Sequence, residues 1–263
     1  MRKRKKLIEK AYQVGEVLGL SVWCEDEAGP YQTKPYSGAS WQVQSHPIQQ
    51  PHEYARDGIA KTGTLFHPAD GTVLVKGVER TTNAVLHAWL KSQLSSILAD
   101  LPEPVQRPAV LECLLWNQWR EGLQHTATLP RQLPPLRMLL VMDNLVGHKN
   151  PDWLLCCFAH GILPLYTPLA GSWLNMAESM QRLLKRRALD GTYPRSTQAI
   201  IQAFQDVAAH WNIQPTPFIW AGKRKARPDR AALKRHRLAA SGAATLRPPR
   251  RRFLSRRSSQ PTH

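Results

Sequence analysis

Five consecutive apolar residues, Met138 to Met142, end abruptly on Asp143 and Asn144. A run this short and this uniformly apolar suits a strand buried on both faces, since a half-exposed strand alternates apolar with polar residues. Such strands lie inside sheets covered by helices, so the run favours an α/β arrangement. It also leaves a carboxylate just beyond the strand, where open α/β sheets build their sites.

The rest of the chain fits that beginning. LSVWCED (20–26) is a second buried strand, mostly apolar without clean alternation, and it too closes on acids. YQTKPYSGASWQVQ has the turn residues of a short hairpin or loop. GIAKTGTLF (58–66) and GTVLVKGV (71–78) are strand-like runs joined by HPADG, a strong turn signal. Over 81–101, Val85, Leu86, Trp89, Leu90, Leu94, Ile97 and Leu98 recur at helical spacing. Residues 102–136 form a proline-bearing excursion around a short helix in LECLLWNQWREGL. NPDWLLCCFAHG predicts a helix stopped at Gly161, ILPLYTP a strand, and helices follow over about 173–190 and 196–211. This order predicts a mixed sheet flanked by helices.

Three carboxylates stand out: Asp26, Asp143 and Glu178. Acids gathered on the ends of core elements repel one another unless a cation sits among them, which outlines a magnesium-dependent phosphoryl-transfer site. Each also has an ordinary reading. Asp26 lies between Glu25 and Glu27, and alternation alone does not say which of the three points into a site; the stretch also leads to a turn at Gly29 and Pro30. Asp143 or Asn144 is equally suited to capping the next turn, and His148 to a structural loop. Glu178 lies off the apolar stripe of Trp173, Met176, Ala177, Met180, Leu183 and Leu184. With Asn175 three residues earlier it resembles a capping box, so periodicity favours a cap or surface glutamate.

Other chemistry is poorly represented. There is no GxSxG, P-loop, HExxH or GxGxxG motif. The four cysteines have neither disulfide nor zinc spacing and are expected to be buried reduced thiols, although Cys156 and His160 share a helix face. The start, MRKRKKLIEK, lacks the apolar segment of a signal peptide, and no apolar stretch is long enough to span a membrane, so the expected location is cytoplasmic.

The net charge of +17 is unevenly spread. Residues 223–263 hold 14 Lys and Arg against one acid, and residues 1–6 add five more basic groups. Between them, 17 basic and 18 acidic groups nearly cancel. Basic ends on a neutral core suit a polyanion, nucleic acid above all. Lys223, Arg224, Lys225, Arg250, Arg251 and Arg252 are candidate phosphate contacts in a tail whose composition predicts disorder.

CEDEAG (24–29), VMDNLVGHK (141–149), PLYTPLAGSWLNMAES (164–179) and WNIQPTPFIW (211–220), taken in this order, resemble the signatures of bacterial insertion-sequence transposases of the mariner superfamily. These are DDE superfamily endonucleases with an RNase H-like, retroviral-integrase-like catalytic domain. The resemblance covers roughly residues 18–222. It implies that Asp26, Asp143 and Glu178 are the catalytic, metal-binding triad, against the helix-wheel reading of Glu178. Asn144, His148, Trp173 and Asn175 match positions near the site. It further implies two Mg²⁺ (or Mn²⁺) ions about 4 Å apart, cleavage at transposon ends and strand transfer into target DNA, and a homo-oligomer on DNA. The chain departs from the family at Ala170, where a histidine is common, and in its long 102–136 excursion. Family members carry helix-turn-helix domains before the catalytic core, whereas a basic lead-in of 17 residues precedes it here. The expected organisation is therefore lead-in 1–17, catalytic domain 18–222 and tail 223–263, with an upstream-encoded helix-turn-helix half as a possible partner. The alternatives are a catalytically silent DNA-binding remnant and a nuclease of the same fold without transposition.

Overall fold

The computed structural model describes residues 2–220, apart from 40–41, 48, 55–57, 105, 124–128, 131 and 146. Lys223, Arg224, Lys225, Arg250, Arg251 and Arg252 lie outside the described residues.

The basic lead-in forms α1 (Arg2–Val14), whose Ile8 and Ala11 are fully buried. Gly19, left-handed at φ 75°, ends the turn that follows. Next come β1 (Ser21–Gln32), β2 (Ile59–Phe66) and β3 (Val73–Val78), then α2 (Asn83–Asp100) and α3 (Ala109–Trp119). β4 (Met138–Met142), α4 (Pro151–Ala159) and β5 (Ile162–Tyr166) alternate, and α5 (Met176–Leu189) and α6 (Thr197–Ile213) close the order. No helix among the described residues is long and apolar enough to cross a membrane.

The strands form one sheet in the order β3-β2-β1-β4-β5. β1, β2 and β3 are antiparallel neighbours, while β4 and β5 run parallel to β1. This mixed sheet flanked by helices is the α/β arrangement that the sequence led us to expect. Every residue of β4 and β5 is buried, which explains their unbroken apolar runs. β1 is longer than its apolar stretch: it continues beyond Glu27 through Gly29 and Pro30, with its pairing shifted between Ala28 and Tyr31. The turn expected there is absent.

Two glycines show how the faces are covered. A side chain at Gly63 would strike Leu86 and Trp89, so α2 packs directly on β2; one at Gly77 would strike Ile201, so α6 packs on β3. Gly63 pairs with Lys76 and Gly77 with Thr62, which places the two glycines on opposite faces. α5 shares the α6 face, since Gln181 reaches Thr64, the partner of Asp26.

Candidate active site at the strand ends

The parallel register between β1 and β4 brings two of the three carboxylates together. Cys24 pairs with Val141, so Asp26 and Asp143, each two residues further on, come side by side beyond the paired region. Strand alternation resolves the three acids of β1. Asp26 shares a face with Cys24 and Thr64, under α5, while Glu25 and Glu27 point to the α2 face. There they meet His148, whose ring lies 6.3 Å from that of His87 in α2. Glu178 arrives in the first turn of α5, which Asn175 starts by accepting a hydrogen bond from the amide of Ala177 through its side chain.

Asn175 has a second task. Its amide Nδ2 donates to the carbonyl of Glu25 at 2.6 Å, tying the start of α5 to β1 beside Asp26. The capping box does not form: the Asn175 side chain takes the Ala177 amide, the Glu178 backbone N–H goes to the main-chain carbonyl of Asn175, and the Glu178 side chain turns to Arg182 instead of back to the cap. The remaining oxygen, Oε2, is buried without a hydrogen-bond partner. A helix wheel places Glu178 off the core stripe, and it is off that stripe; the first turn of α5 faces the strand tips, which a wheel does not show.

The electrostatics are those of crowded acids. Burial, then the charge of Asp143, and more weakly Glu178, push the Asp26 carboxyl up to about 7. Glu25 is completely buried, and burial followed by the surrounding acids carries it to about 8 despite the opposing charge of His148. His148 is 1% exposed. Burial alone lowers an imidazole, but its pairing with Asp143 and the charges of Glu25, Asp143 and Glu27 outweigh that and raise it to about 9. His148 Nδ1 lies 2.9 Å from Asp143 Oδ1, yet off the line of its N–H, so the contact is an ion pair and not a well-formed hydrogen bond. Asp143 Oδ1 also accepts the backbone N–H of Leu145, so Asp143 shapes its own turn as well as facing the site. Asn144 Oδ1 is buried without a partner.

The donor chemistry fits a hard divalent cation. The charges of Asp143 and Glu178 both bear on Asp26, opposed by that of His148, and oxygen donors of this kind suit Mg²⁺ or Mn²⁺. Their present rotamers are not those of a ligand cage. Among the described residues no three His, Cys, Asp or Glu side chains are placed to hold a metal ion. Asp143 faces His148 and Glu178 faces Arg182, so ligation requires both to exchange partners.

Several contributors escaped the sequence. Glu25 and Glu27 seemed only to blur the position of Asp26. Trp173, assigned to the core stripe, is 39% exposed and stacks on Trp220, which stacks in turn on Tyr12. Tyr12 donates to the carbonyl of Leu174 and receives the amide of Met176, so α1 buttresses the loop that carries Asn175. The only sequence signal for this was an aromatic residue on the apolar side of a basic helix. Cys24 and Cys157 are buried as expected, whereas Cys113 is exposed. Cys156 Sγ lies 3.9 Å from His160 Nδ1.

No family model matches the chain, and no curated protein matches it. Among solved structures it is similar to a chain of the cryo-EM structure of a simian T-cell lymphotropic virus intasome in complex with the PP2A regulatory subunit B56 gamma. The identity is 12%, with 76% of this chain and 53% of that chain covered, at a TM-score of 0.38. The chain therefore spans about half the length of that neighbour, and the reading of the site rests on its own geometry.

Proposed function

We propose that this domain cleaves and rejoins DNA strands in the manner of a transposase, with Asp26, Asp143 and Glu178 as ligands for Mg²⁺ or Mn²⁺. The observation that carries the reading is that Asp26 of β1 feels the charges of Asp143, beyond β4, and Glu178, in α5, which add to burial in raising its carboxyl to about 7. When bound, divalent ions at such a site supply Lewis acidity toward a phosphodiester and a nucleophilic water at neutral pH. The chain's own residues do the positioning. The β1–β4 register fixes the spacing of Asp26 and Asp143, and Asn175 locks Glu178 to the same edge. Arg182, freed when Glu178 ligates, becomes an exposed cation beside the site and suits a phosphate of the strand being cut. In this reading the basic tail, including Lys223 to Lys225 and Arg250 to Arg252, contacts DNA phosphates outside the site. Transposon ends and target DNA are the substrates, and a homo-oligomer holds them.

The test is nicking of supercoiled plasmid by the full chain with Mg²⁺ or Mn²⁺ against EDTA. Metal-dependent nicking that Asp143→Asn removes, with circular dichroism unchanged, is the expected result. Nicking that persists in Asp143→Asn sinks the site assignment. Salt-sensitive DNA binding without metal-dependent turnover points instead to a silent DNA-binding remnant.

A further inference from the structure

We propose that Glu25 is a positioning residue, the buried acceptor to which the His148 imidazole passes when Asp143 turns toward a metal ion. The inference rests on the metal site proposed above and concerns a residue outside its ligand set. His148 stands among three acids, with Nδ1 2.9 Å from Asp143 Oδ1 and 3.6 Å from Glu25 Oε2, and Nε2 3.9 Å from Glu27 Oε1. Neither ring nitrogen has a well-directed partner, and neither oxygen of Glu25 has any hydrogen bond. The ring is thus held near Asp143 but not committed to it, and a ready acceptor lies only slightly further away.

The surroundings leave the ring as the part that moves. The His148 carbonyl accepts the Tyr166 hydroxyl, and its amide donates to the carbonyl of Leu145. Glu25 sits in the middle of β1, paired with β2 on one side, and its carbonyl is held by Asn175. The need for an acceptor follows from burial. An Asp143 that leaves His148 strands a ring N–H away from water, and an unpaired buried donor is costly. Transfer to Glu25 removes that penalty and gives a use to a carboxylate that is otherwise buried without a partner.

The experiment is Mn²⁺ titration of the full chain, followed by loss of the free-ion electron paramagnetic resonance signal. Glu25→Met, similar in length and without an acceptor, raises the half-saturating Mn²⁺ concentration roughly tenfold or more, the scale of lost outer-shell support. Glu25→Gln keeps a carbonyl acceptor and stays within about twofold of the parent. In a His148→Phe background, Glu25→Met changes affinity by less than about twofold, because nothing remains to be received. Equal affinity in Glu25→Met and the parent, or the same loss in both backgrounds, overturns the inference. Absence of any Mn²⁺ binding that Asp143→Asn abolishes overturns the metal site itself. Should Glu25→Met fail to fold, the ¹³C carboxyl signal of Glu25 in the unaltered protein is followed instead. It shifts with the Mg²⁺ binding midpoint if the transfer occurs, and a signal unmoved at saturating Mg²⁺ overturns it.

Discussion

Two histidines in this molecule stand among carboxylates, and they have opposite surroundings. His67 stacks on Trp23 and bridges Glu16 and Asp70, with Nε2 2.9 Å from Glu16 and Nδ1 3.0 Å from Asp70. Both acids are substantially exposed, at 42% and 56%. His148 has three acids around it, and the side chain of Glu25 is entirely dry. At His67 water screens whatever the ion pairs leave unbalanced, so the cluster is a clip joining the residues before β1 to the β2–β3 turn. At His148 far less water relieves the excess of acids, since Glu27 and Asp143 are only 23% and 26% exposed and Glu25 not at all, and three neighbouring groups are displaced far from their ordinary pKa values. Charge left unresolved in a dry place is what distinguishes a site from a clip.

The largest separation between the two clusters should appear in catalysis. On the proposed reading Asp143→Asn removes a metal ligand, and the loss of several kcal/mol of transition-state stabilisation corresponds to a fall in nicking rate of about a thousandfold or more. Asp70→Asn, at the clip, leaves the rate within about twofold while costing less than ~1 kcal/mol of stability. Initial rates of plasmid nicking measure both. A comparable fall for the two variants removes the distinction.

Stability should separate them next. Asn175 caps α5 and holds the Glu25 carbonyl from a buried position. Asn175→Ala gives up the cap, worth about 1 kcal/mol, and leaves a buried carbonyl unpaired at about 1–3 kcal/mol more. A urea midpoint lowered by that sum is expected. Asn175→Asp recovers the cap alone, because a carboxylate cannot donate to the Glu25 carbonyl. Full recovery by Asp would show that the tie to β1 contributes nothing.

What the sequence made legible follows from which forces are local. The uniform runs of β4 and β5 announced buried strands, and the stripe of α2 was correct in Leu86, Leu90, Leu94 and Leu98, although Val85 is 42% exposed. The ends of apolar runs are also local, so Asp26 and Asp143 could be singled out, although β1 itself continues past Asp26 to Gln32. Register is not local. Only the Cys24–Val141 pairing sets those two acids side by side, and only the alternation it fixes sends Glu25 and Glu27 to His148. For Glu178 the helix wheel describes one helix and omits the strand tips that its first turn faces. Trp173 was misplaced for a related reason: its loop ends the regular spacing before α5 begins at Met176.

The pH dependence of the metal-free protein tests the dry cluster as a whole. Asp26 rises from 3.8 to about 7, Glu25 from 4.5 to about 8, and His148 from 6.5 to about 9. Each group binds more protons in the folded than in the unfolded chain between those values, so stability falls as pH rises through the whole window. The melting temperature should drop by on the order of 5 °C between pH 5 and pH 9, and saturating Mg²⁺ should reduce the drop by balancing the acids. Glu25→Gln should flatten the slope, most of all near pH 8. A melting temperature unaffected by pH would mean that the acids at the strand ends are already balanced.

The smallest effect belongs to the clip, and its sign separates it from the dry cluster. Burial disfavours the His67 imidazolium, but its bond to Glu16 and its ion pair with Asp70 outweigh burial and raise its pKa. A raised base stabilises the fold fully below its unfolded value of 6.5, and the contribution is lost as pH climbs through the folded value. Asp70 is displaced the other way: burial raises it, but the Thr72 amide and His67 together hold it below 3.8. Its contribution is present above that value and lost as the pH falls. The clip is therefore strongest in mildly acid solution. Glu16→Gln should cost a few tenths to about 1 kcal/mol at pH 5.5, the range of an exposed pair, and less as the pH rises and His67 gives up its proton. The difference in melting temperature between the two proteins, followed as the pH rises, measures it. A penalty that grows with pH would assign the role of Glu16 to its other contact, the bond it accepts from the Val22 amide, which carries no titrating partner.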